Sequence, residues 1–223
     1  MSEIAPPRQL RRYALRVEPN MRQVDPHTAF WQWFQANIDR FNRFEDDQQR
    51  LMAELSAQLH RIDDNLVYEV SSSNSGRREL VISVDGIKES FSSVVALTDA
   101  APEINGWTIT AFRPRVDIAQ FTLKFDGRHL AAKGYYFWLQ ADGEHIDLIL
   151  YVPGLLEDNR NEFVNACYVL LDMALGEYDV TTKIRFIDHE PLACATETEG
   201  LKPLTELPKE FDELYAKLHP ARA

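Results

Sequence analysis

The chain has 223 residues, 45% of them hydrophobic and 11% aromatic, enough to bury a sizeable core in one large domain or two small ones. Lys and Arg total 24 against 35 Asp and Glu, a formal charge of −11 that disfavours nucleic acid and anionic membrane as partners. No apolar run approaches the roughly 18 residues of a membrane-spanning helix, and the N-terminus lacks the apolar segment of a secretory signal. The two cysteines, Cys167 and Cys194, have no disulfide-like or metal-binding spacing, which suits a reducing compartment. A soluble, cytoplasmic protein that needs no cofactor is expected.

Residues 1–24 form an N-terminal arm of opposite charge to the body: Arg8, Arg11, Arg12, Arg16 and Arg22 outweigh Glu3 and Glu18. Asp25-Pro26 then reads as a helix start, a capping carboxylate followed by proline at the first helical position. Phe30, Phe34, Ile38 and Phe41 make one apolar face, and Leu51, Leu55, Leu59 and Ile62 resume it. Between them Glu45-Asp46-Asp47 is either a solvated patch or a break, so one long helix and a helical hairpin both fit residues 26–62. Trp31 and Trp33 crowd the first turns. Four large rings around one turn cannot all face inward, so one or both tryptophans are expected to be exposed, or covered by the N-terminal arm or a second subunit.

A strand over 66–70, a polar loop and the strand ELVISVDG (79–86) predict a β-hairpin. Phe91, Val94, Val95 and Thr98 mark a short helix ending before Pro102, and Trp107 to Phe112 a closing strand. The order recurs downstream. Tyr135 to Leu139 is a strand, Asp142-Gly143 a turn, and DLILYVPG (147–154) the return strand. Ala166, Cys167, Leu170, Leu171 and Ala174 then predict an amphipathic helix, stopped by Gly176. The alternation from Tyr178 to Ile187 reads as the closing strand. Leu80, Ile82 and Val84 map onto Leu148, Leu150 and Val152 at a constant offset, each trio on one strand face.

The expected fold class is therefore α+β: an antiparallel sheet from two ββαβ units (about 66–115 and 135–188) with helices mainly on one face. These units belong to a single domain over 25–190, with an additional strand over 119–125 ending at Asp126-Gly127. Residues 191–223 add a loop and a strap helix carrying Phe211, Leu214, Tyr215 and Leu218.

No catalytic or nucleotide-binding signature is present. Arg113 and Arg115, split by Pro114, continue one face of a strand and could clamp an anion, or pair with Glu177 or Asp179. Pairing is the commoner use of such arginines. The face opposite the helices would carry Glu69, Ser83, Thr108, Thr110, Gln120, Thr122, Lys124, His145, Asp147, Tyr151, Thr181, Lys183 and Arg185, a solvated surface, a broad binding surface or a dimer contact. His145 and Asp147 share a face there. With Asp188-His189-Glu190 on a neighbouring strand they could approach a metal, although no zinc-site spacing supports it.

The helix FWQWF, the strand VISVDG and the segments AAPEINGWTITAFRPR and LLDMALGEYDV together resemble a set of bacterial proteins of unknown function. The resemblance spans Phe30 to Val180 and implies no activity. The two halves also look similar to ferredoxin-like sheets, whose fold does not identify function. The expected function is a non-catalytic interaction or regulatory protein, with a protein or a second copy of the chain as partner. The alternative is a hydrolase or small-anion enzyme using Arg113 and Arg115 or the His145/Asp147 face.

Overall fold

The structure, a computed structural model, describes residues 25–71, 76–119, 122–125, 128–195 and 200–220. The arm at 1–24, Gln120 and the Asp126-Gly127 turn lie outside these residues. Among the described residues, no helix is long and apolar enough to cross a membrane.

Helix α1 (Pro26–Ala36) starts as its sequence predicts, with the Asp25 carboxylate accepting the Thr28 N–H at 3.0 Å and proline in the first turn. It ends at Asn37, and a four-residue helix α2 (Ile38–Phe41) and a short turn lead into α3 (Gln48–Leu59). The chain here is thus neither one helix nor a plain hairpin. Phe44 is buried inside the break, and Glu45 turns away to pair with Arg78, a buried guanidinium that it meets at 2.8 and 2.5 Å. Asn42 O and Ser71 O accept further Arg78 N–H groups. That fork holds the Glu45 carboxyl down at about 2.

Strands β1 (Val67–Val70) and β2 (Arg78–Ser83) form an antiparallel hairpin; α4 (Phe91–Asp99) crosses over and β3 (Trp107–Ala111) returns parallel to β2. Farther on, β6 (Tyr136–Asp142) and β7 (His145–Val152) form a second antiparallel hairpin. Helix α5 (Arg160–Leu175) follows, and β8 (Ile184–Pro191) returns parallel to β7. A small hairpin, β4 (Thr122–Phe125) with β5 (Arg128–Ala131), separates the two units. The two-residue strand β9 (Lys202–Pro203) extends the second sheet beside β6, and α7 (Leu207–Leu218) is the predicted C-terminal helix.

The expected single antiparallel sheet is corrected on two counts. Besides the β4-β5 hairpin, the described residues form two separate larger sheets, ordered β1-β2-β3 and β8-β7-β6-β9, and each of these contains a parallel pair. The parallel pairing follows from the helical crossover between the second and third strands of each unit. The closing strand of the second unit is also corrected. Glu177–Lys183 is helix α6, and only from Ile184 does the chain extend. Tyr178 and Val180 alternate by coincidence. Asp179 and Lys183, four apart, pair at 2.7 Å, and Thr182 donates its hydroxyl to Tyr178 O, both local helical contacts. Thr181 and Lys183 therefore leave the predicted sheet face, and Ser83, expected to be solvated there, is instead fully buried, its hydroxyl oxygen accepting the Asp85 N–H at 3.1 Å.

Each sheet owns a core. Leu80, Ile82 and Val84 pack with Phe34, Leu55 and Trp107 in one cluster; Leu148, Leu150 and Val152 pack with Cys167, Leu170 and Phe211 in the other. All six residues of the matched trios are fully buried. Burial pushes the Cys167 thiol up to about 12, consistent with a packing residue rather than a nucleophile. The far side of α5, at Val169 and Met173, faces Val81 on the other side of the first sheet. The layers run helices, first sheet, α5, second sheet. The outer side of the second sheet carries no layer of its own among the described residues.

Candidate functional site

The two lobes meet where β2 and β3 end against the C-terminal end of α5. The last carbonyls of a helix have no partner inside it. The segment after β3 supplies partners here: Val116 N–H donates to Met173 O at 2.8 Å, and Arg115 Nε–H to Leu175 O at 2.6 Å. The Arg115 charge also suits the negative end of the helix. Gly176, with φ of 83°, turns the chain so that Glu177 N–H reaches Arg113 O at 3.0 Å. A Cβ at Gly176 would sit 3.5 Å from that same Arg113 oxygen.

Glu177 is fully buried, and its carboxylate accepts three backbone N–H groups of the first lobe. They come from Val84 at 3.2 Å, Gly86 at 3.0 Å and Arg113 at 3.1 Å. Asp85 and Phe112, beside these donors, have positive φ of 49° and 61°. Phe112 is a bulky residue in a region that disfavours it. It is held there by Phe91 and Tyr178, whose ring centroids lie 4.5 and 5.4 Å away.

Both arginines singled out from the sequence are saturated. Arg113 pairs with Glu69 at 2.5 Å and Asp85 at 2.7 Å; Arg115 pairs with Asp179 at 2.6 Å and Asp212 at 2.9 Å. Burial opposes the Arg113 charge, but its hydrogen bonds to Glu69 and Asp85 more than offset this and raise its pKa. Adding phosphate or sulfate at constant ionic strength is therefore expected to leave the melting temperature of the parent protein unchanged. Arg113→Gln and Arg115→Gln should each melt lower, because each strands carboxylates. Anion-dependent stabilisation that vanished in both variants would contradict this reading.

Around Arg113 the cleft is acidic. Two cavities of about 560 and 420 Å³ share Asp85, Tyr168 and Asp172 as lining residues. Asp172 retains 13% of its side-chain exposure, and its nearest cationic partner, Arg113 Nη1, is 4.0 Å away. Burial, then the charges of Glu177, Asp85 and Glu69, push its carboxyl up to about 7 against the pull of Arg113. The sequence reading missed Asp172 because an acid on an amphipathic helix is ordinary; its setting arises from packing across the lobes.

The His145/Asp147 face does not assemble a metal site with His189. Asp147 accepts from Arg185 at 2.9 Å, and Arg185 also pairs with Asp142. His189 pairs in register with Leu150, while His145 sits at the hairpin end opposite Asp142, five residues along β7. That separation is roughly 17 Å. His189 is 3% exposed, and no three His, Cys, Asp or Glu side chains are grouped for a metal among the described residues.

Of the two tryptophans of α1, the structure takes Trp31 away from the surface and leaves Trp33 partly exposed. Trp31 is buried and donates its indole N–H to Leu97 O at 2.8 Å; Trp33 is half-buried against Phe30 and Phe41. Helix α1 can turn Trp31 toward α4 while Phe34 packs on Trp107 of β3, and Trp33 rests on its own helix and on Phe41 of α2. The exposed tryptophan is Trp138. In the second sheet Trp138, Ile149 and Asp188 form one row across β6, β7 and β8, and Gln140, Asp147 and Phe186 the next. Trp138 is 40% exposed and Phe186 54%, with Ile149 and Tyr151 half-buried beside them. Alternation back from the Asp142-Gly143 turn would have placed Trp138 opposite Ile149.

No known protein family, curated protein or solved structure matches this chain.

Proposed function

We propose that this chain is a non-catalytic cytoplasmic interaction protein, built from two copies of one ββαβ unit resembling ferredoxin-like halves. Its docking surface is the outer face of the second sheet. The duplication is supported by the shared pairing order, antiparallel then parallel, and by the equal burial of the matched trios. In each unit, corresponding residues of the middle strand (Ile82 and Leu150) are flanked by Tyr68 and Ala111, and by Phe137 and His189.

The observation that carries the docking reading is the exposed row of Trp138 and Ile149 beside Phe186. Aromatic side chains clustered on a flat, otherwise polar surface are typical interface anchors. The corresponding row of the first sheet, Glu69 and Val81, lines the groove against α5 instead. The alternative, a hydrolase or anion enzyme using Arg113 and Arg115 or the His145/Asp147 face, is less well supported, because Arg113, Arg115 and Arg185 are each paired with two carboxylates. The partner is a protein surface, and a second copy seated face to face about a two-fold axis is its simplest form.

Light scattering over a concentration series, with lysate cross-linking of the same chain, tests this. Trp138→Lys and Phe186→Lys should leave the melting temperature unchanged and abolish association, while Leu156→Lys on the exposed turn before α5 should not. A parent that stays monomeric and cross-links to no protein through this face overturns the proposal.

A further inference from the structure

The groove between the first sheet and α5 combines an apolar wall with a row of carboxylates, of which Asp172 has no close cation. Val81, Val169 and Met173 line its floor and sides; Glu69, Asp85 and Asp172 stand along it, with Arg113 as the cation between them. Arg113 is committed to Glu69 and Asp85, and Asp172 is left with a contact of 4.0 Å. Tyr168, 41% exposed, offers a ring at the same place, a surface on which a guanidinium stacks. The chemistry that fits is therefore an arginine-bearing peptide with apolar residues between its cations.

We propose that the occupant is this chain's own arginine-rich segment, residues 1–24, which places a guanidinium beside Asp172. Five arginines against two glutamates make that segment basic on an acidic protein. Leu10, Tyr13, Leu15 and Val17 lie among those arginines and supply the apolar contacts. The charge match is thus internal to the chain. Reach is sufficient: 24 residues of extended chain span up to about 80 Å, against a diameter of roughly 45 Å for a body of this size. The pairing would also relieve the crowding of carboxylates around Asp172, since an opposite charge within about 4–6 Å favours the ionised form. This inference is independent of the outer sheet face.

Zero-length carbodiimide coupling on the full chain tests it, because that reagent joins an amine only to a carboxylate it touches. Arg8→Lys, Arg11→Lys, Arg12→Lys, Arg16→Lys and Arg22→Lys would be made singly and their cross-linked peptides mapped by mass spectrometry. Mixing isotope-labelled with unlabelled chains separates links within one chain from links between two. The expected result is a link within one chain from at least one of these positions to Asp172, Asp85 or Glu69, its yield falling several-fold in high salt. Links only to other carboxylates, links only between chains, or no links from any of the five would each overturn the proposal.

Discussion

Glu177→Ala is expected to cost roughly 3–6 kcal/mol of stability, because the lost carboxylate is the acceptor for three backbone donors in a dry setting. Val84, Gly86 and Arg113 all direct their N–H groups at it, and the side chain has no exposed surface. No neighbouring acceptor can replace it without moving β2 or β3. Glu177→Gln should cost less. Its remaining carbonyl can serve Val84 and Gly86, which share Oε1, while its amide would confront the Arg113 N–H donor to donor. Urea denaturation of the two variants checks this ordering. A Glu177→Ala midpoint within experimental error of the parent would show that the lobes do not depend on this carboxylate.

His189→Leu is expected to remove one acid-sensitive contribution to the protein's stability. His189 is buried on β8, its ring 5.3 Å from Tyr168 of α5, and its Nε2 has no hydrogen-bond partner. Burial, opposed by Asp188 and assisted by Arg160, lowers its pKa to about 4. The unfolded chain takes up the same proton near 6.5. More protons are then bound by the unfolded state between those values. The contribution to stability is therefore complete above about pH 6.5 and is lost as pH falls toward 4, a swing of roughly 3 kcal/mol. Leucine of similar size cannot titrate and leaves no unpaired buried nitrogen. Denaturation midpoints of parent and His189→Leu, compared from pH 7 to pH 4, should diverge by about that amount. Parallel curves would place the acid sensitivity elsewhere.

Local patterns made the hairpins, the crossover helices and the buried trios legible, because alternation and helical spacing report which side of an element is apolar. The same patterns misread Tyr178 to Lys183. There the i,i+4 pair of Asp179 and Lys183 and the Gly176 turn outweighed an accidental alternation. Pairing partners were harder still. Whether two hairpins join one sheet or build two depends on what fills the space between them, and α5 fills it. The site was legible only as a set of residues. Arg113, Arg115 and Glu177 do meet at one seam, but Glu177 serves backbone amides rather than either guanidinium. Asp172 and Trp138 acquire their character from neighbours distant in sequence, which no local window contains.

The division into two cores has a consequence for synthesis. The first sheet is complete at Ala111, but α5 does not end until Leu175, 175 − 111 = 64 residues later. At typical translation speeds that is an interval of roughly 3–13 s. During much of this interval the first core can close on α1, α3 and α4, but Val81 and the segment from Arg113 to Val116 have no α5 to meet. The nascent lobe thus exposes a half-finished flank, and any factor that attends this protein on the ribosome would find its substrate there.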